Sequence, residues 1–147
     1  MRLCQLISSY ERSSSPFSGI DPYPDAARWL PEHEWSTCYL DKATALGAVD
    51  ELICQGFDAF VNLCDGEPEE DIAGEEVCAR LAQHGVPFTG ADLRSARFGS
   101  SRRRLKEACA ALGLDTPAYA FLARGEAPQR GALRFPILVK PPNGYAS

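Results

Sequence analysis

From residue 2 to residue 90 the apolar positions switch between two spacings. Residues 2–8 carry Leu3, Leu6 and Ile7 in a short run that predicts a strand. Residues 8–24, rich in Ser, Pro, Gly and Asp, predict a loop. Residues 25–30 predict a helical turn, with Trp29 and Trp35 pinning the segment to the core, and 36–40 a second strand. Residues 43–55 set Leu46, Val49, Leu52 and Ile53 at helical spacing, with Gly56 as the stop. Residues 58–64, Asp-Ala-Phe-Val-Asn-Leu-Cys, form a nearly unbroken apolar run that suits a central parallel strand covered on both faces. An acidic loop, 65–73, leads into a helix over 74–84 with Val77, Leu81 and Ala82 as its apolar stripe and Gly85 at its end. Residues 86–89 predict a fourth strand before Gly90 turns the chain.

This β-α-β-α-β alternation predicts an α/β fold with an open parallel sheet. Ligands of such sheets gather at the carboxyl ends of the strands, which puts residues 8–15 and 65–71 on one rim. A different pattern follows. A short helix is predicted over 91–97, then a longer one capped by Ser100 or Ser101 and running to 112, with Leu105, Cys109 and Leu112 inward and Gly113 at its end. Its first turn holds Arg102, Arg103 and Arg104, with Lys106 close behind. Three arginines at a helix start oppose the macrodipole, which fits either a solvated face or an anion held nearby. A turn at 115–117, a strand over 118–123, a polar loop over 124–132 and a strand over 135–140 complete the expectation.

The last strand delivers Lys140, and Pro141 and Pro142 end its regular pairing. Asn-Gly-Tyr-Ala-Ser follows, small and turn-prone. A strand-end lysine beside a loop of accessible amides suits a phosphate grip. A lysine that merely adjoins a turn is the plainer account.

Composition adds limits. The chain is 45% hydrophobic and 24% charged, with a net charge of −5. The acidic balance argues against a general nucleic-acid binder. No apolar run approaches the ~18 residues of a membrane span. The N-terminus turns polar too soon for a signal peptide, so a cytoplasmic protein is expected. Six cysteines, at 4, 38, 54, 64, 78 and 109, include no Cys-x-x-Cys pair and predict buried free thiols in a reducing compartment. His33 and His84 lie near no cysteine pair, so no zinc site is expected.

The order of these segments is itself informative. Residues 57–66 read Phe-Asp-Ala-Phe-Val-Asn-Leu-Cys-Asp-Gly, followed by an acidic loop with Glu70-Asp71 and a later glycine. Then come Gly-Val-Pro-Phe-Thr-Gly-Ala-Asp, Leu-Lys, Gly-Leu-Asp-Thr-Pro and Phe-Pro-Ile-Leu-Val-Lys-Pro. In this order and spacing the chain resembles the D-alanine–D-alanine ligase branch of the ATP-grasp superfamily, from about Asp58 to Ser147; the first 57 residues match in outline only.

The resemblance implies a Rossmann-like pre-ATP-grasp substrate domain over 1–95. The first elements of an α+β ATP-grasp domain, incomplete, would occupy 96–147. It implies ATP and Mg2+ as cofactors, with small amino-acid-like carboxylate and amine substrates. ATP would phosphorylate the carboxylate, and the amine would displace phosphate from the acyl phosphate. Lys140 matches the lysine on the nucleotide phosphates, and Gly144, Tyr145, Ala146 and Ser147 the start of the loop that closes over them. Lys106 matches a further lysine of the family. Ser101-Arg102 stands where the family has Asp-Lys, and arginine keeps the charge. Glu11 is the nearest match to the glutamate that holds the first amino acid, without the family's glycines around it. Asp65-Gly66 replaces a histidine-glycine, while Glu70 and Asp71 match a Glu-Asp pair. The family's magnesium ligands, catalytic arginine and adenine hinge lie beyond the match to Lys140, so no catalytic residue and no metal ligand is expected here. The chain is then expected to be a fragment without ligase activity by itself, the complete protein having a homodimer as an option, with neither nucleic acid nor membrane as partner. Two other readings stay open: a non-catalytic module that binds a small acid or a protein, and a ligase of the same superfamily with another amide product.

Overall fold

β1 (Arg2–Ser8) is paired along both edges. On one side lies β2 (Glu34–Leu40), on the other β3 (Ala59–Leu63), both parallel to it, giving the order β2-β1-β3. A computed structural model describes this arrangement for residues 1–15, 18, 25–68, 70–123, 125–127 and 133–142. Two compact units are present, Met1–Leu93 and Arg94–Ser147, and the sheet belongs to the first.

Burial on both faces belongs to β1 and not, as its apolar run predicts, to β3. Leu3 to Ser8 are all buried, whereas in β3 only Phe60 is. Bordered on both sides, β1 has no wet edge, so six consecutive buried side chains are tolerated. Its one long polar side chain there, Gln5, is satisfied: its Oε1 accepts the Ala26 amide at 2.9 Å. That bond holds a 3-10 turn (Ala26–Arg28), capped by Asp25, whose Oδ1 accepts from the Ala27 amide. Trp29 does not pin the segment, being 76% exposed, with the Arg28 guanidinium 5.6 Å from its ring. Trp35, half-buried on β2, ties the segment locally to that strand through its indole N–H to the Leu30 carbonyl at 2.9 Å.

The predicted fourth strand is reduced to one parallel bridge, Phe60 to Phe88. Phe60 donates to the Pro87 carbonyl and accepts from the Thr89 amide, both at 2.9 Å. Pro87 has no N–H with which to extend a ladder.

The core lies between the sheet and two helices, α1 (Ala45–Cys54) and α2 (Glu75–His84). Cys4, Leu6, Leu40 and Phe60 from the sheet meet Ala45 and Val49 of α1 and Val77 and Leu81 of α2. In α1 the expected stripe holds at Val49, Leu52 and Ile53, but its first position is taken by Ala45, which is buried, while Leu46 is 39% exposed. In α2, Cys78 is buried in place of Ala82. The small Ala45 packs in the cluster with the sheet residues, while the Cys78 thiol meets the Ala91 carbonyl at 3.5 Å. Asp50 of α1 faces Arg80 and His84 of α2 at 3.4 and 3.0 Å. Gly85 ends α2 in the left-handed region, φ 65°, where a side chain would be strained.

The second unit has α3 (Leu93–Ser100) and α4 (Arg102–Ala111). Leu105 and Leu112, expected inward, are 46% and 73% exposed. Neither 118–123 nor 135–140 is a strand, and 115–117 carries no turn, among the described residues. A strand exists only with a partner backbone beside it, and an apolar run such as 137–139 does not bring one by itself.

The thiols are free. Burial pushes Cys4 up to about 11 and Cys64 up to about 12, and also raises Cys38 and Cys78. Cys54, expected in the core, is exposed.

Two outcomes are expected. Leu6→Ala should destabilise the protein by about 3 kcal/mol, and Leu46→Ala by under ~1 kcal/mol, in urea denaturation. In mass-mapped alkylation with iodoacetamide at pH 8, Cys54 should react first and Cys4 and Cys64 last, because thiolate is the reactive form.

Candidate functional site

The three strands run the same way, so their carboxyl ends share one rim. Ser9 lies just past β1, Asp41 just past β2, and Cys64 and Asp65 just past β3. The rim is stitched by backbone: the Ser9 amide donates to the Leu40 carbonyl at 2.9 Å, and Asp41 bridges Ile72. The Ser8 hydroxyl, buried, donates to the Ala73 carbonyl at 2.6 Å.

The acidic loop after β3 closes on itself at a two-glycine neck. Gly66 and Gly74 bridge each other. The Gly66 amide donates to the Ala73 carbonyl, and the Gly66 carbonyl accepts the Glu75 amide, each at 3.1 Å. The second bond satisfies one of the orphan amides at the start of α2, where Gly74 offers no side chain to cap it. The Gly74 amide in turn donates to Glu76 Oε1 at 3.2 Å. A Cβ at Gly74 would lie well under 3.0 Å from the Gly66 backbone, and a Cβ at Gly66 equally close to the Ile72 carbonyl. Only glycine fits at either position.

Inside the neck the loop is tied at two further points. Lys42 Nζ donates to the Glu67 carbonyl at 2.7 Å and lies 3.7 Å from Glu76. Glu70 Oε2 accepts the Glu67 amide at 2.8 Å across a turn that the Glu70 amide closes onto the Glu67 carbonyl. Asp71 reaches across to the loop after β1. Its Oδ1 accepts the Ser13 hydroxyl at 2.5 Å, and its Oδ2 accepts the Ser14 amide at 2.7 Å and the Ser14 hydroxyl at 2.9 Å. The Ser13 hydroxyl bond, followed by the Ser14 bonds, holds the Asp71 carboxyl down at about 2. These bonds favour the charged form, so their stabilisation is complete above the ordinary carboxylate range and fades as pH falls toward 2.

Of the residues proposed from sequence to meet a substrate, the rim thus gathers Glu11, Asp65, Glu70 and Asp71. Glu11, Asp65 and Glu70 are exposed. Glu11 sits in a turn closed by the Ser13 amide on the Tyr10 carbonyl at 3.1 Å. Lys42 and the Gly66–Gly74 neck were not foreseen. Two glycines flanking an acidic stretch, the second opening a helix, are the signal that marks the neck.

The second unit holds the cations. Arg102 Nε donates to the Pro141 carbonyl at 2.9 Å, and its amide to the Pro142 carbonyl at 3.1 Å. The start of α4 is therefore bound to the two residues that follow Lys140, which is exposed. The Ser101 hydroxyl caps the helix by accepting the Arg104 amide. Lys106 turns away, donating to the Pro117 carbonyl at 3.2 Å with its ammonium 5.1 Å from the Tyr119 ring. Arg103 lies over Phe121 at 4.4 Å. Carbonyl and aromatic partners thus account for much of the charge at this helix start. Gly144, Tyr145, Ala146 and Ser147 lie outside the described residues. Among those described, no group of three or more His, Cys, Asp or Glu is placed to hold a metal ion, and no helix is long and apolar enough to cross a membrane.

A parallel sheet packed against helices places the first unit in the class of α/β folds. Within that class the chain is similar to D-alanine–D-alanine ligases. It is 35% identical over 103 residues to the D-alanine–D-alanine ligase of Xanthomonas axonopodis pv. citri, covering 65% of this chain and 31% of that protein. Against D-alanine–D-alanine ligase B of Xanthomonas campestris pv. campestris it is 32% identical over 103 residues, again 65% and 31%. With the enzyme of Alcanivorax borkumensis it shares 34% over 94 residues, 64% of this chain and 28% of the relative. The chain therefore spans about three tenths of the length of the curated relatives it matches. No family model and no solved structure matches it.

The neck gives a direct test. Gly74→Ala should destabilise by about 2 kcal/mol or more, because backbone must move to admit the methyl. Gly47→Ala, in α1 with open space around it, should instead stabilise by up to ~1 kcal/mol. Equal effects in urea denaturation would show that the neck is not a close contact.

Proposed function

We propose that the chain is the first part of an ATP-dependent carboxylate–amine ligase of the D-alanine–D-alanine ligase type. The observation that carries this is the 32–35% identity to three such enzymes over about two thirds of the chain. In this reading residues 1–95 form a substrate domain, and 96–147 begin the nucleotide-binding domain. Glu11, Asp65, Glu70 and Asp71 belong to the substrate side, where carboxylates on a strand-end rim suit the ammonium of an amino acid. Lys140, Arg102, Lys106 and Gly144–Ser147 belong to the phosphate side.

The cation set fits a polyphosphate in kind. Arg102 offers a planar fork, and its tie to Pro141 and Pro142 keeps it next to the lysine segment. Bound ATP would supply the phosphoryl group that activates a carboxylate; the part of these residues is to hold and neutralise phosphate charge. Among the described residues no group of three or more His, Cys, Asp or Glu is placed to hold magnesium. For this chain by itself the proposal is nucleotide binding without turnover, in the cytoplasm.

Isothermal titration of the chain with ATP tests the reading. Binding is expected, weakened about tenfold or more in Lys140→Ala because a charge-assisted contact to phosphate is lost. ATP binding that Lys140→Ala leaves unchanged would overturn the assignment of Lys140. No ATP binding at all, with a small acid or a protein bound instead, would favour a non-catalytic module.

A further inference from the structure

We infer that Asp71 is a positioning residue, a latch that fixes the segment carrying Glu11 to the rim of the sheet. Three observations on separate groups support it. Both carboxylate oxygens of Asp71 are engaged, by three donors from Ser13 and Ser14, which lie 58 and 57 positions away in sequence. The loop that carries Asp71 is itself tied down, by the Gly66–Gly74 neck and by Lys42 on the Glu67 carbonyl. The segment it holds is closed into a turn two residues earlier, the Ser13 amide bonding the Tyr10 carbonyl with Glu11 inside that turn. A rigid anchor thus ends in a charged acceptor, and the acceptor bonds the flank of the turn that presents Glu11.

The geometry separates two roles among neighbouring carboxylates. Both side chains are exposed, but Asp71 uses its two oxygens on protein donors. Among the described residues, the charged groups on the segments that meet here are Glu11 and Arg12 on one side and Asp65, Glu67 and Glu70 on the other, with Lys42 bonding the carbonyls of Glu67 and Pro68. The bonds come from serine hydroxyls and an amide, so neutralising the carboxylate removes charge-assisted acceptors and leaves these donors to water. The significance of the latch for substrate rests on the reading of Glu11 given above; the latch itself does not.

The test needs no ligand, so it decides the latch even if the chain binds neither nucleotide nor amino acid. Amide exchange and chemical shifts are followed by nitrogen-15 NMR in the whole chain, as wild type, Asp71→Asn and Ser13→Ala/Ser14→Ala. In the wild type the Ser14 amide should titrate with a midpoint below the ordinary carboxylate range, and that titration should vanish in Asp71→Asn. Exchange of the Ser14 amide should rise about tenfold or more in Asp71→Asn, while the amides of Leu3 to Ile7 keep their protection. The serine double variant, which retains the amide bond but neither hydroxyl, should move the midpoint upward and serves if Asp71→Asn does not fold. Unchanged Ser14 exchange in Asp71→Asn, an unmoved midpoint in the double variant, or equal acceleration throughout β1 would overturn the inference.

Discussion

β1 is hydrogen-bonded along both edges and buried on both faces, and the first unit follows from that constraint. A strand so placed cannot carry an unpaired polar group, hence Gln5 must find Ala26 and Ser8 must find Ala73. Those two bonds fix what lies before β2 and what lies at the end of the acidic loop. With β2 and β3 parallel to β1, the chain leaves all three strands at the same end. The segments after β1 and β3 therefore become neighbours, although more than fifty residues separate Ser13 from Asp71.

Much of this was legible in the sequence because it depends on local spacing. The span of β1 and the Ser101 cap of α4 are marked by residues at the site itself. What was not legible depends on partners. The run 59–63 is as apolar as a central strand, yet centrality belongs to whichever strand others pair with, and that is β1. Leu46 and Ala45 differ by one position on a helix, and close packing against the sheet selected the smaller residue. Residues 118–123 and 135–140 have strand-like composition, but composition does not supply a second backbone. On the rim, the meeting of 8–15 with 65–71 was predictable from topology; the particular bonds of Asp71 were not, because serines and carboxylates in loops have many equivalent partners.

The second unit shows how a helix start can carry an unfavourable run of charge. Arg102, Arg103 and Arg104 oppose the macrodipole of α4. Arg102 is held by the Pro141 carbonyl, and Arg103 by the face of Phe121. Each contact moves a cation off the helix axis and toward a group of negative potential, a carbonyl oxygen or a ring face.

The Gly66–Gly74 contact has a consequence for how such a domain changes over time. It brings two backbones together at one crossing, and among the described residues between the two glycines only Ile72 and Ala73 are buried in the core. The loop is in effect a cassette. Its tip can be lengthened, recharged or exchanged while strand order and helix start stay fixed. Divergence in the loop can then accumulate without loss of the fold.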